Sequence, residues 1–197
     1  MKKSEVIVVG TSPSVLGSNL GDIIDSYETV IRVNMCNNPS LHNDIGEKTN
    51  IWATSVYERA QSKFNQTREE TLGFTPPEII NKEIWYRHEA SLTFFNKYKK
   101  EKGEKYKTTL LPRKSIATAV TGILAIDYAV EIYGSIDIVG HSLYLESEGK
   151  TVSYNHDTFQ EQALIDGRGS QVDLVLKHHS NQKLNFLLES EKELYFK

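Results

Sequence analysis

Two groups of residues in this chain have types and spacing suited to chemistry. The first is VIVVGTSPSVLGSNLGDII, Val6 to Ile24, where a run of apolar β-formers ends at Gly10 and gives way to Thr11, Ser12, Ser14 and Ser18, with further glycines at 17 and 21. A glycine closing a strand lets the backbone come close to a sugar or phosphate. The serines offer hydroxyls, and the amides opening a helix over 19–26 offer a positive end to an anion. The second group follows Gly140: His141, Tyr144, Tyr154, then YNHDTFQE with His156 and Glu161 in H-x-x-x-x-E spacing, and Asp166. A histidine suits a general base near neutral pH. The tyrosines, just past a strand end, are candidates to hydrogen-bond a leaving group.

What is missing narrows the chemistry. Glycines at 10, 17 and 21 are too far apart for the dinucleotide fingerprint G-x-G-x-x-G, and there is no G-x-x-x-x-G-K-[ST]. A nicotinamide oxidoreductase is disfavoured on that ground. No D-x-D pair occurs and the six histidines show no tight ligand spacing, so metal-dependent diphosphate chemistry is disfavoured and no metal site or cofactor is assigned. With 39% hydrophobic and 25% charged residues and a net charge of −3, the 197-residue chain has the composition of one sizeable globular domain, residues 1–197, and nothing that favours nucleic acid or an anionic membrane. The single cysteine, Cys36, forms no intrachain disulfide, has no activating partner and fits a reducing compartment. The apolar run after MKK is too short for a signal peptide, and no stretch approaches the ~20 residues of a membrane span. The expected location is cytoplasmic.

These groups need elements to position them. Val6–Val9 reads as a buried strand, followed by a helix over 19–26; ETVIRVN is a second strand closing at Asn34, then comes a polar loop, and NIWATS is a third strand ending near Thr54. Residues 57–66 read as helix, EIWYRH as a strand, ASLTFFNKYKK as an amphipathic helix and TTLLP as a short strand. SIATAVTGILAIDYAVEIYG is the clearest helix, with Ser115 placed to cap it and Gly134 to end it. SIDIVGHS is a strand ending at Gly140, SQVDLVLKHHS a helix and KLNFLL a last strand. Strands alternating with helices predict an α/β fold: a doubly wound, mostly parallel Rossmann-like sheet with helices on both faces. In such sheets ligands bind beyond the carboxyl ends of the strands, so Gly10, Asn34, Thr54, Gly140 and the loop after it should converge. Arg32 reads as a structural anchor, Lys48 with Thr49 as either a phosphate contact or solvated, His42 and His88 as surface residues, and His178 with His179 as cations favoured by a helix C-terminus.

VIVVGTSPSVLGSNLGDIIDSYETVIRVN followed by NDIGEKTNIWATS resembles the long sialylmotif of sialyltransferases, roughly VVGNSG-x-L-x-GS-x-LG-x-x-ID-x-x-D-x-VIR-x-N and then D-V-G-x-K-T-T. The matches are Val9, Gly10, Ser12, Leu16, Gly17, Ser18, Leu20, Gly21, Ile24, Asp25, Val30, Ile31, Arg32 and Asn34, with Asp44, Gly46, Lys48 and Thr49 in the tail. SIATAVTGILAIDYAVEIYGSIDIVG resembles the small sialylmotif at Thr121, Gly122, Ala125, Asp137 and Gly140. Thr11 stands where the family has an asparagine that contacts the nucleotide. The paired motif cysteines are missing, as expected for a soluble bacterial or viral relative, and a chain shorter than the family's usual catalytic domain points to a trimmed acceptor side.

The resemblance implies a metal-independent inverting glycosyltransferase that moves sialic acid or a related ulosonic acid from a CMP-activated donor to a hydroxyl of a glycan or lipopolysaccharide-type acceptor. The alternative is a nucleotide-sugar-binding domain with impaired catalysis. Gly10, Thr11, Ser12, Asn34, Thr54, Thr121, Gly122, Gly140, His141, Tyr144 and Tyr154 are the expected substrate-binding residues, with Asn34 able to meet a ribose or cytosine edge. The H-x-x-x-x-E spacing of His156 and Glu161 resembles the family's very small motif, whose histidine is catalytic. Counting back from KLNFLL points instead to Asp166, so the base is His156 or Asp166.

Overall fold

The computed structural model describes residues 4–34, 39–55, 83–89, 107–112, 119–143 and 168–196, together with 92 and 96. Among the described residues, seven strands are formed by short runs rich in apolar and β-branched residues: β1 (Val6–Val9), β2 (Thr29–Val33), β3 (Ile51–Thr54), β4 (Glu83–Tyr86), β5 (Lys107–Leu110), β6 (Ile136–Val139) and β7 (Leu184–Phe186). They make one sheet in the order β5-β4-β3-β2-β1-β6-β7, and every pairing is parallel. The helices are α1 (Gly21–Asp25), α2 (His42–Ile45), α3 (Thr121–Tyr133), α4 (Arg168–Ser180) and α5 (Glu189–Tyr195).

Both faces of the sheet are covered, which is why its central strands are buried along their length and largely apolar rather than alternating, with Arg32 of β2 and Asp137 of β6 as buried exceptions. On one face Val6, Val8, Ile31, Val33, Ile136 and Ile138 pack against Ile123, Ile126 and Ala129 of α3 and Val175 of α4. On the other, Ile7, Val9, Val30 and Val139 pack against Val15, Ile24, Tyr27 and Ile45 around α1 and α2. The chain steps outward from β1 through β2 to β5, then returns to place β6 on the opposite side of β1. The strand order therefore reverses at β1, and a crevice opens beyond the carboxyl ends there.

Several local expectations are corrected. The first helix is shorter than 19–26, and the polar loop after β2 contains a 3₁₀ turn, Pro39–Leu41, and then α2. The long helix starts at Thr121, not at Ser115, which lies outside the described residues; the N–H of Val120 is satisfied by the Gln171 side chain at 3.1 Å instead of by a local cap. It ends as expected at Gly134, whose N–H donates to the Val130 carbonyl. α5 has no counterpart in the sequence reading. Residues 57–66 and most of 90–100 lie outside the described residues.

Arg32 is the anchor expected of it. Its side chain is fully buried, Nε donates to the Lys48 carbonyl at 2.9 Å and to Thr49 Oγ1 at 3.1 Å, and Nη2 donates to the Ile45 carbonyl at 2.8 Å. Asp25 lies 3.8 Å from that Nη2 and accepts the backbone N–H groups of Glu47 and Lys48. Lys48 Nζ donates to the Tyr27 carbonyl. Lys48 and Thr49 thus hold the α2–β3 connection and are not phosphate ligands in waiting. Arg32→Met keeps the length but leaves buried carbonyls without a donor; it should lower stability by about 3 kcal/mol, read as a shift of the urea midpoint with an unchanged slope.

Candidate active-site crevice

The tips of β1, β2 and β6 meet in one pocket. β1 contributes Gly10, Thr11 and Ser12, β2 contributes Val33 and Asn34, and β6 contributes Gly140 through Leu143; Val120 and Gly122 at the start of α3 close one wall. The approach of β1 to β6 makes this possible. The Gly10 N–H donates to the Val139 carbonyl at 2.8 Å and the Ser12 N–H to the Gly140 carbonyl at 2.9 Å. A Cβ on Gly10 would lie 2.1 Å from the Gly140 carbonyl oxygen and 2.8 Å from the His141 ring. Gly140 has φ +73, and a Cβ there would meet the Gly10 carbonyl at 2.8 Å. The glycine at 10 is therefore required by the protein's own backbone, before any ligand is considered.

Each wall residue has a defined hydrogen-bonding role. Asn34 adopts φ 52, a conformation asparagine tolerates better than most residues. The Ser55 N–H can only donate, and it meets Asn34 Oδ1 at 3.3 Å. This orients the amide and leaves Nδ2 as the donor for a ligand. His141 is buried, its ring packed over Gly10 and Gly122. Desolvation lowers its pKa from 6.5 to about 4, against a smaller opposing contribution from a backbone hydrogen bond at Val8. It is neutral at pH 7, and so weak a base is poorly matched to proton abstraction there. Its Nε2 is buried without a hydrogen-bond partner. Leu143 is held at φ 49, a strained conformation for leucine that occurs on the pocket rim.

Seven of the expected substrate-binding residues line this pocket: Gly10, Thr11, Ser12, Asn34, Gly122, Gly140 and His141. Thr54 and Thr121 do not. Both are buried, at 0% and 2% exposure, outside the lining. Tyr144, Tyr154, His156 and Asp166 lie outside the described residues. Just ahead of the first helix, where an anion was expected, the Gly17 and Asn19 N–H groups both donate to the protein's own Asp44 at 2.9 Å. His178 meets Asp127 at 2.9 Å and His179 meets the Leu184 carbonyl at 2.9 Å, so both tie α4 to its neighbours. His42 is not a plain surface residue: Nδ1 faces Glu47 at 3.2 Å and Nε2 is buried.

Sequence reasoning missed Ser142 on the wall and two supports behind it. The Gly140 N–H donates to Glu191 Oε1 at 2.8 Å, and the Tyr195 hydroxyl donates to the His141 carbonyl at 2.5 Å. Both side chains come from α5 and are buried. The available signal was spacing: Leu188, Glu191 and Tyr195 share one helix face, with a carboxylate where an apolar residue is expected.

With that geometry in place, three comparisons bear on the chain. The profile of glycosyltransferase family 29 (sialyltransferase) matches residues 3–74, which takes in β1 to β3 and runs past the end of the long-motif resemblance but stops short of α3. No curated protein is significantly similar in sequence. A mammalian sialyltransferase crystallised in complex with Gal-beta-1-3GalNAc-ortho-nitrophenol has a similar structure, with a TM-score of 0.62 and 15% identity over 94% of this chain and 69% of that one. Another mammalian sialyltransferase structure gives 0.61 and 16% over 92% and 68%. The fold is the Rossmann-like α/β fold of these sialyltransferases. Both neighbours are mammalian, whereas the sequence resemblance pointed toward bacterial or viral relatives.

The His141 environment sets a pH dependence. Its folded pKa lies below the unfolded value, so between pH 6.5 and about 4 the unfolded chain binds a proton that the folded chain does not. This contribution is fully present above pH 6.5 and is lost as the pH falls toward 4, by about 3 kcal/mol in all. Urea unfolding measured across that range should show stability falling with acid, and His141→Gln should lack this part of the slope.

Proposed function

We propose that the crevice binds the nucleotide of a CMP-activated acidic sugar and that the protein is an inverting glycosyltransferase acting on a glycan hydroxyl. The observation that carries this reading is the convergence of the β1, β2 and β6 tips on one pocket at the point where the strand order reverses, in a chain whose first third matches the sialyltransferase family. Among the described residues the lining holds no lysine, arginine, aspartate or glutamate. A neutral wall of hydroxyls, an asparagine amide and an uncharged imidazole suits the ribose and base of a nucleotide.

In the proposed reaction the acceptor oxygen attacks the anomeric carbon as the bond to the CMP phosphate breaks, and its proton passes to a base. His156 is the proposed base, with Asp166 the alternative; Tyr144 and Tyr154 are the proposed contacts to the departing phosphate. A single phosphate can leave with hydrogen-bond stabilisation alone, so metal independence belongs to the proposal, as does a reducing, cytoplasmic setting. Thr11, in place of the family's asparagine, favours the second reading, a domain that binds the nucleotide without turning over.

Calorimetry should give CMP binding that EDTA leaves unchanged, together with donor hydrolysis or transfer; no affinity for CMP, or strict dependence on a divalent ion, would refute the proposal. Binding without turnover across a panel of acceptors would select the second reading. His156→Ala should lower kcat by about 10²–10⁴-fold with CMP affinity within about threefold; unchanged turnover would move the base to Asp166.

A further inference from the structure

α3 and α4 are clasped together at the crevice, and the proposed reaction does not use the clasp. The first N–H groups of a helix have no partner within it. α3 has no side-chain cap of its own, because its N-cap position is Val120, and its first turn holds no acidic residue. The Val120 N–H instead donates to Oε1 of Gln171 on α4, 3.1 Å away. Gln171 is 3% exposed, so this bond is shielded from water. Seven residues further along both helices, His178 meets Asp127 at 2.9 Å. Between the two contacts come Leu124 and Val175, both buried in the core on that face of the sheet. Val120, Leu124 and Asp127 follow i, i+4, i+7 spacing, as do Gln171, Val175 and His178, so each set lies on one helix face. Equal advances on both partners mean that the helices run side by side in the same direction, with Gln171 at the crevice end and His178 at the far end. At the crevice end, Val120 and Gly122 line the wall. A Cβ on Gly122 would lie 3.1 Å from Cε1 of His141 and 3.2 Å from its Nδ1. The start of α3 therefore rests directly on the His141 ring, and that ring rests on Gly10.

We propose that Gln171 is a positioning residue for the crevice: its Oε1 supplies the cap that α3 lacks and so holds Val120 and Gly122 against His141 at the spacing a ligand meets. Gln171 is not part of the lining and acts through those two residues. The choice of CMP as the ligand rests on the nucleotide reading above, whereas the spacing of Gly122 and His141 can be read with no ligand bound. The contact of His178 with Asp127 lies two turns away from the wall and holds the helices together without setting that spacing.

NMR and calorimetry on the full chain test this. In the wild type the Val120 N–H should be protected from deuterium exchange. Gln171→Met keeps the length of the side chain and removes the acceptor. It should speed that exchange and weaken CMP binding, each about tenfold, the scale of one hydrogen bond, and it should shift the His141 ring resonances. Gln171→Glu keeps an acceptor in the same place, where a helix N-terminus favours a carboxylate; it should restore exchange rate and affinity to within about threefold. Asp127→Ala opens the far contact as a control. It should lower the urea midpoint yet leave the ring resonances in place and the Val120 exchange and CMP affinity within about twofold, as expected for a separate site. An unprotected Val120 N–H in the wild type overturns the proposal before any variant is made. Unchanged ring resonances in folded Gln171→Met overturn it, and so does a failure of Gln171→Glu to restore affinity. An equal loss of affinity in Gln171→Met and Asp127→Ala makes the seam merely structural and overturns it too. If the wild-type chain binds no CMP, the nucleotide reading fails by itself, and the exchange and ring measurements still decide the role of Gln171.

Discussion

The close approach of the β1 and β6 tips governs this structure. Gly10 and Gly140 face each other so tightly that a methyl group on either would enter the other's carbonyl. Two glycines let adjacent parallel strands stay hydrogen-bonded past their last apolar residue and then diverge, one toward Thr11 and Ser12, the other toward His141 and Ser142. Without that contact the chain would leave the sheet earlier, the tips would not share a wall, and the reversal of strand order at β1 would open onto side chains instead of a crevice.

Polar groups around the crevice divide into those that tie the loops together and those that stand on its wall. Asp25, Asp44, Arg32, Lys48 and Thr49 belong to the fold; they bond backbone in the loops that join β1 to β3. The long-motif resemblance includes all of them, so much of that signature reads as architecture. Asn34, Ser12, Ser142 and His141 remain at the wall, and none carries a charge at neutral pH. The backbone amides of Gly10, Ser12 and Gly140 are likewise consumed internally. What faces a ligand is a set of neutral, oriented donors and acceptors, a surface better at discriminating hydroxyls and amines than at attracting anions.

The central strands were legible because a parallel sheet buried on both faces favours continuous apolar runs; VIVV is one, and TVIRV and IDIV are largely so, with the buried Arg32 and Asp137 as interruptions. The strand tips were legible for the same reason: once the strands are placed, the rule about carboxyl ends nominates Gly10, Asn34 and Gly140. Side-chain direction was not legible, and Thr54 and Thr121, of the right type at plausible positions, turn into the interior. The start of α3 was misread because its support, Gln171, comes from a helix 51 residues further on. α5 was missed because ESEKELY looks like a polar tail unless Glu191 is known to face inward toward the Gly140 N–H. Gly10 was picked for a ligand contact, and the structure adds a second reason for a glycine there, the close approach of Gly140 and His141.

The account depends on the crevice between the β1, β2 and β6 tips being the place where a cytidine nucleotide sits. A crystal of the full chain soaked with CMP tests this most directly. The expected map shows the nucleoside against Thr11, Ser12, Asn34 and Ser142, with the Asn34 Nδ2 donating and the phosphate directed away from the neutral wall. Nucleotide bound at any other surface, or a phosphate lodged against Ser142 and His141, would contradict it.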